Sequence, residues 1–198
     1  NVINEDLFSI KTAAPPSPFI YFTLATVSQE KGFDDLLDAI AIVSGKRSDI
    51  VFEIGGGGSA AALYKRKAAA LGIEKFIQWL GPLSREEASK RYQKCHAFVL
   101  PSHGETFGVV YAEALASGKP VIATRCGGPE CIVDDSNGLF AEVKNSTGLA
   151  AQIIYMVDNY SRYDAAKIRE GFEGKFSKKV VIPQIVGLYK SLVRKPKK

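Results

Sequence analysis

Long apolar runs, metal-ligand spacings and paired cysteines are all missing from this chain of 198 residues. No stretch approaches the roughly 18 uninterrupted apolar residues of a membrane span. No signal peptide is visible, and the chain does not begin with Met, so it is expected to be a piece of something longer. The three cysteines, Cys95, Cys126 and Cys131, form neither a CxxC pair nor a metal pattern. An odd, unpatterned count suits a reducing compartment, and all three are expected to be small buried residues. Of the two histidines, His96 opens a strand and is expected to be structural. His103 lies in a loop where it could touch a ligand. No internal repeat or low-complexity tract is present.

What is there is ordinary in bulk. Apolar residues make up 46% and charged residues 24%, both normal for a globular chain, and the length fits one domain with a sizeable core. The net charge of +5 suits an anionic ligand or a membrane surface without demanding either. Much of the excess lies in Arg194-Lys-Pro-Lys-Lys198. That tail reads as a solvated end or as a contact for anionic lipid.

Residues 1–18 read as an arm or linker, because Ala13-Ala-Pro-Pro-Ser-Pro18 suits neither a helix nor a central strand. Phe19 to Thr26 is a continuous apolar, β-branched and aromatic run, hence a buried strand. Residues 32–44 carry Phe33, Leu36, Leu37 and Ile40 on one helical face. Ile50 to Ile54 is the next strand, closed by Gly55 to Gly58. A helix over 59–71 stops at Gly72, and Lys75 to Leu80 is a third strand. Ser84 with Glu87 is a capping-box pattern that opens another helix. Ala97 to Leu100, Pro120 to Thr124 and Gly138 to Ala141 complete six strands, and two or three helices occupy about 147–193. This alternation implies an α/β fold: a Rossmann-like, open, doubly wound parallel sheet of about six strands with helices on both faces. Ligands bind such sheets at the carboxyl ends of the strands.

One such end is the most informative segment, Pro101-Ser-His-Gly-Glu105-Thr-Phe-Gly108, which runs into the apolar helix around Glu113. The first turn of that helix offers unpaired N–H groups and partial positive charge. Gly108 allows close backbone approach, so a diphosphate would fit. If the helix opens near Thr106 to Gly108, Glu113 lies about two turns in, some ~8–10 Å along the axis. Glu105 and Glu113 would then bracket the anion, each able to accept hydrogen bonds from a polyol. The alternatives are a surface charge for Glu105 and an ion pair with Lys119 or Arg125 for Glu113. Lys31, in Gln29-Glu30-Lys31-Gly32, either neutralises a phosphate as a compact charge or is a solvated loop lysine. Gly56-x-Gly58-x-x-Ala61 superficially matches a dinucleotide fingerprint, but no acidic residue ends the following strand. The glycines read instead as a tight turn that leaves room for a ligand.

Together these pieces resemble the carboxyl-terminal domain of family 4 retaining glycosyltransferases of the GT-B fold, over about residues 19–143. The landmarks are Glu30-Lys31-Gly32, Ile54-Gly55, Ile77-Gln-Trp-Leu80-Gly81 and Leu100-Pro-Ser102. They continue with Glu105-x-Phe107-Gly108, Glu113-Ala-Leu-Ala-x-Gly118-x-Pro120-Val, Gly127-Gly128-x-Glu130 and Asn137-Gly138-Leu139. Asn1 to Phe8 is similar to the segment leaving the family's first domain. The resemblance implies a second domain that binds a UDP-, GDP- or ADP-sugar, an acceptor (glycan or lipid-linked) held by a missing N-terminal domain, and no metal or other cofactor. It implies donor-sugar contacts for Glu105 and ribose contacts for Glu113. The amides of Phe107, Gly108 and Val109 would hold the diphosphate with Lys31, near Gly55, and the Gly81-Pro82-Leu83 turn would meet the base. Where the family commonly has a basic residue, five positions before the lysine, this chain has Thr26, which can donate a hydrogen bond but brings no charge. Arg125 could then assist.

The implied division is 1–18 arm, 19–177 donor domain and 178–198 carboxyl-terminal helix and basic tail. The last helix has Val181, Ile185, Leu188 and Leu192 on one face, which either returns towards the first domain or packs on this domain's own sheet. The implied setting is cytoplasmic, with a peripheral membrane contact and no nucleic-acid partner. The rival readings are a non-catalytic nucleotide- or sugar-binding module and, disfavoured by the missing ribose acid, a nicotinamide-dependent oxidoreductase.

Overall fold

The computed structural model describes residue 3, residues 5–10 and residues 17–193. The tail Arg194 to Lys198 and most of the Pro-rich arm lie outside these residues. Six parallel strands form one sheet in the order β3-β2-β1-β4-β5-β6. They are β1 (Phe19–Leu24), β2 (Ile50–Gly55), β3 (Ile77–Gly81), β4 (Ala97–Leu100), β5 (Val121–Thr124) and β6 (Gly138–Ala141). The helices are α1 (Phe33–Ser44), α2 (Ala61–Ala70), α3 (Arg85–Lys94), α4 (Val109–Ala116), α5 (Ser146–Asp158), α6 (Ala165–Phe176) and α7 (Lys178–Val193). The expected Rossmann-like α/β architecture is therefore present, and three helices close the chain.

Alternation along the strands divides the core in two. Tyr21, Phe52, Ile54, Val99 and Ile122 face α1 and α5, where they meet Phe33, Leu36, Leu37, Ile40 and Ile153. Phe22, Phe98, Leu100, Val121 and Ala123 face the other way, towards Tyr92 of α3, Tyr111 and Leu115 of α4, and Ile168 and Phe172 of α6. Both faces are covered, which is why every residue of β4 and β5 is buried and β4 reads as an unbroken apolar run.

Several boundaries moved. β1 ends at Leu24, and Thr26 stands exposed in the following loop. Glu74–Phe76 is a 3-10 turn, so β3 starts at Ile77. Within the segment expected as an arm or linker, Ile3 and Phe8 are buried against the second core, together worth about 3–6 kcal/mol. Ser89 Oγ and Arg169 donate to the carbonyls of Leu7 and Phe8. The glycines after β2 let the β1–α1 loop approach closely. A Cβ on Gly56 would lie 1.9 Å from Ala25 O and one on Gly58 2.6 Å from Val27 O. Their room is taken by the β1–α1 loop. The last helix meets α6, and Leu188, Tyr189 and Leu192 of α7 are 62%, 66% and 58% exposed, so these residues do not pack on the sheet. Among the described residues no helix is long and apolar enough to cross a membrane.

Strand order reverses between β1 and β4, and the crevice outside their carboxyl ends is where such a sheet binds ligands. The loops after β1, β4 and β5 converge there.

Candidate functional site

Gly108 caps α4 in the left-handed conformation at φ 86°. A Cβ there would sit 2.5 Å from the Tyr111 ring, so only glycine fits. The Tyr111 hydroxyl donates to Leu100 O at 2.8 Å and fixes α4 to the end of β4. The amides of Phe107, Gly108 and Val109 donate to no protein acceptor among the described residues. They lie at the end of α4 that carries partial positive charge. A depression of about 260 Å³ opens at this point. Lys31, Glu105, Phe107, Gly108 and Val109 all line it, with Leu24, Ala25 and Leu100 behind them.

Glu105 is neither a surface charge nor a free acceptor. Its Oε1 receives the Lys31 ammonium at 2.7 Å and Ser102 Oγ at 2.9 Å. Its side chain is 13% exposed and that of Lys31 27%. Gly128 N donates to Glu105 O at 2.8 Å, and Thr124 Oγ1 donates to Ser102 O. The loop after β4 is thus tied to β5 and to the turn that follows it. Lys31 is held by a 3-10 turn, Gln29–Lys31, that ends at Gly32. A Cβ on Gly32 would lie 1.8 Å from Pro101 O. The start of α1 is therefore pressed against the end of β4, which brings Lys31 to Glu105.

Glu113 departs from expectation. Because α4 begins at Val109, Glu113 is its fifth residue, about 6 Å in by the rise of ~1.5 Å per residue, not two turns. It does not line the depression. Among the described residues its carboxylate pairs with neither Lys119 nor Arg125; the side-chain bond it receives is a long one, 3.4 Å from the Tyr92 hydroxyl, whose proton lies closer to Val110 O at 3.0 Å. Burial pushes its carboxyl pKa up, only partly opposed by Tyr92 and by the nearby Arg85 charge. Lys119 is itself buried, and burial lowers its pKa. Arg125 points to Glu142 at 3.5 Å and lies over the Phe140 ring, and it is not among the residues lining the depression. An ionised Glu113 is thus an under-satisfied acceptor beside the start of α4.

Thr26, Gly55 and Leu83 also fall outside the lining. Gly55 and Leu83 are nonetheless neighbours: a Cβ on Gly55 would meet Leu83 Cδ1 at 2.7 Å and Leu24 Cδ1 at 3.1 Å. Leu83 belongs to a separate, smaller depression with Glu87, Lys90, Arg91 and Lys94. A larger depression of about 430 Å³, with Asp135, Tyr155, Arg162, Tyr163 and Lys167 on its walls, lies beside β6 away from these loops. Cys95 is buried as expected, Cys126 is half-buried and Cys131 is exposed. His96 is buried, stacked on Phe19, and accepts from Ile20 N at 2.9 Å through Nδ1. Sequence reasoning missed Asp35, which holds His103 Nε2 at 2.6 Å, and the Tyr92 hydroxyl. Asp35 carries no local signal. Ser102 stood within a quoted landmark but was given no role.

Residues 4–171 match the family model described as Glycosyl transferases group 1. A glycosyltransferase of Methanocaldococcus jannaschii, itself uncharacterised, is 35% identical over 82% of this chain and 45% of its own length. The D-inositol 3-phosphate glycosyltransferase of Corynebacterium urealyticum is 31% identical over 84% of this chain and 41% of its own. The chain therefore spans less than half the length of these relatives. Among solved structures, sucrose-phosphate synthase from Thermosynechococcus elongatus superposes with a TM-score of 0.85, at 22% identity, over 97% of this chain and 51% of that one. The C-terminal domain of a Francisella tularensis glycosyl transferase group 1 protein gives 0.79 at 24% identity, over 89% of this chain and 99% of that one. The Anabaena protein HepE, solved in complex with UDP, gives 0.83 at 21% identity, over 96% and 56%. These likenesses bear on the fold, and they agree with the parallel sheet described above. On the extent of the family match and on the curated relatives, this chain belongs to the glycosyl transferases group 1 family.

Proposed function

We propose that residues 19–177 form the donor-binding domain of a retaining glycosyltransferase, which moves a sugar from a nucleotide-diphosphate sugar to a glycan or lipid-linked acceptor. The observation that carries this reading is one depression at the switch point of the sheet holding three groups: a lysine ammonium, three free amides at a helix start and a carboxylate. The amides and Lys31 suit the diphosphate; Glu105 suits sugar hydroxyls. Charge develops on the diphosphate as it leaves, so the Lys31 ammonium would stabilise the transition state more than the ground state. In the empty site Lys31 and Glu105 satisfy each other. The donor replaces that pair with phosphate on one side and hydroxyls on the other, so neither charge is left bare. Glu113, beyond the rim, would take ribose hydroxyls, which would relieve its poor hydrogen bonding. The Leu83 neighbourhood would take the base.

The acceptor would be held by an N-terminal domain preceding residues 1–18. The exposed apolar residues of α7 would pack on that domain, which completes the cleft and excludes water. In this reading no metal takes part, and Lys31 with the amides would supply the positive charge. We place the protein in the cytoplasm with peripheral contact to a membrane. Calorimetry with UDP, GDP and ADP tests the reading: one of them binds at micromolar to millimolar concentration, and no binding by any would refute it. Glu113→Ala should weaken that nucleotide more than it weakens inorganic pyrophosphate. A second reading, a nucleotide- or sugar-binding module without catalysis, is favoured by one observation. Thr26 is exposed and uncharged where the family commonly has a second cation. Full-length protein that binds the donor but neither transfers nor hydrolyses it would establish that reading instead.

A further inference from the structure

We propose that His103 and Asp35 form a strut that holds Lys31 and Glu105 at working distance once the donor has separated them, so that the pair are positioning residues for transfer. The inference rests on the donor-site reading above. His103 stands two positions before Glu105, in the loop after β4. Asp35 stands four positions after Lys31, in the first turn of α1. Neither lines the depression, and their side chains are 19% and 14% exposed. His103 Nε2 meets Asp35 Oδ2 at 2.6 Å. The same residue's backbone N–H donates to Glu30 O at 2.8 Å. The other oxygen of Asp35, Oδ1, accepts from Ser146 Oγ at the start of α5, at 3.3 Å. Asp35 is thus oriented from both sides, a fixed anchor and not a mobile surface charge.

The argument turns on what survives when the donor binds. Two side-chain links join the β4 loop to the β1–α1 segment among the described residues: Lys31 with Glu105, and His103 with Asp35. Other ties of the loop among the described residues, Thr124 to Ser102, Glu105 N to Cys126 O and Gly128 to Glu105, run to the opposite side, to β5 and the turn after it. Donor binding exchanges the first link for contacts with phosphate and hydroxyls. The second then carries the side-chain connection alone, backed by the His103–Glu30 backbone bond. Without it that backbone bond and the packing of Gly32 on Pro101 remain, but no side chain stops the tip of the loop from shifting with β5 while Lys31 follows α1. The carboxylate and the ammonium would drift apart along the line between leaving group and sugar. A misplacement of about 1 Å at such a point costs on the order of 100-fold in rate, whereas nucleotide held by Lys31 and the α4 amides hardly senses it.

The test uses the full-length protein, with the UDP-, GDP- or ADP-sugar that it turns over and the matching nucleoside diphosphate. His103→Ala should lower kcat about 10- to 100-fold while the Kd of the nucleoside diphosphate changes less than about 3-fold. His103→Gln, which keeps an N–H for Asp35, should recover most of the loss. Asp35→Ala should match His103→Ala, and the double variant should be no worse than either single one. A parallel loss of kcat and nucleotide affinity, an unchanged kcat, or additive losses in the double variant would each overturn the strut. A full-length protein that binds no nucleotide would instead remove the donor-site reading, and this proposal with it. A second readout avoids turnover. With two histidines in the chain, the imidazole nitrogen resonances are readily assigned. Pyrophosphate added to this chain should move those of His103 and leave those of His96, which is engaged at Ile20 at the opposite, amino end of β1 and β4. Equal movement or none contradicts the proposal.

Discussion

Replacing Glu105 by glutamine should make the site bind a nucleoside diphosphate more tightly while it destroys transfer. In the empty site Glu105 is the partner that holds the Lys31 ammonium, at 2.7 Å. A diphosphate must win that ammonium away. At an effective dielectric constant of about 20, unit charges so close attract by about 6 kcal/mol. Rehydration of the freed groups and side-chain entropy cancel most of it, and exposed pairs measure about 0.2–1 kcal/mol. This pair is mostly buried, with 27% and 13% exposure, and its hydrogen bond is charge-assisted, which supports about 1–2 kcal/mol net. Glutamine keeps a carbonyl for Ser102 and loses the charge. Affinity for UDP, or for whichever of UDP, GDP and ADP binds, should therefore rise about 5- to 30-fold. Isothermal calorimetry on the glutamine variant and the parent chain, at low and high salt, measures it, and the gain should shrink as salt rises. Transfer by the full-length variant should fall at least about 100-fold through loss of donor-sugar contacts. Unchanged or weaker nucleotide binding would refute the reasoning, because it would mean that Lys31 is not the cation for which phosphate and carboxylate compete.

The remaining predictions address the frame around that pair. Gly108→Ala should cost about 2 kcal/mol or more, from a positive φ and a clash with Tyr111, lowering Tm by about 4–8 °C in a thermal melt. Glu113→Gln should stabilise the unliganded chain at neutral pH. The folded pKa of Glu113 lies above its ordinary value, so the folded state binds the extra proton and ionisation works against folding. That cost is absent below the ordinary carboxyl pKa, grows as pH rises through the window up to the folded pKa, and is complete above it. The stabilisation by glutamine should therefore vanish in denaturant titrations near pH 4 and grow as pH rises above the ordinary carboxyl range. Arg91→Ala should destabilise by about 2–3 kcal/mol, since Glu53 is buried and Arg91, at 3.0 Å, is its ion-pair partner, with Glu53 Oε2 already lacking a hydrogen bond. The double change with Glu53→Gln should restore much of it, as read from urea midpoints. Leu188→Asp should change the stability of this chain by no more than about 0.5 kcal/mol, because the side chain already faces solvent. A larger loss would mean that α7 packs on its own domain.

The fold was legible because its signals are local. Strand-length apolar runs, the face of α1 and the capping box of α3 each lie within one short segment. Ser84 N to Glu87 Oε2 at 2.8 Å and Glu87 N to Ser84 Oγ at 3.2 Å form the box read from the two residues alone. Boundaries failed where tertiary packing decided them. Ala25 and Thr26 continue the composition of β1, yet the strand stops at Leu24 because the chain must turn to lay Val27 over Gly58. Lys75 and Phe76 look like the start of β3, but a 3-10 turn seats Phe76 in the core first.

The site was legible in its parts and not in its pairings. Lys31, Glu105, Phe107, Gly108 and Val109 could be marked because each occupies a strand end or a helix start, positions with a chemical meaning of their own. What joins them is contact across 74 positions for Lys31 and Glu105 and 68 for His103 and Asp35. Nothing in a local window encodes either. The same limit explains Glu113. Its apolar neighbours showed that it would be poorly solvated, and its raised pKa agrees. Its actual partner, Tyr92, comes from α3, 21 positions away. A carboxylate left so weakly satisfied is costly to keep ionised. A ligand hydroxyl that reached it would lower that cost, so nucleotide binding should pull its pKa back towards the ordinary carboxyl range. Proton uptake or release on nucleotide binding, measured by calorimetry in buffers of different ionisation enthalpy, reads this directly. Release on binding, within the window above the ordinary carboxyl pKa, is the expected sign. Binding without proton exchange across that window would place the ribose elsewhere.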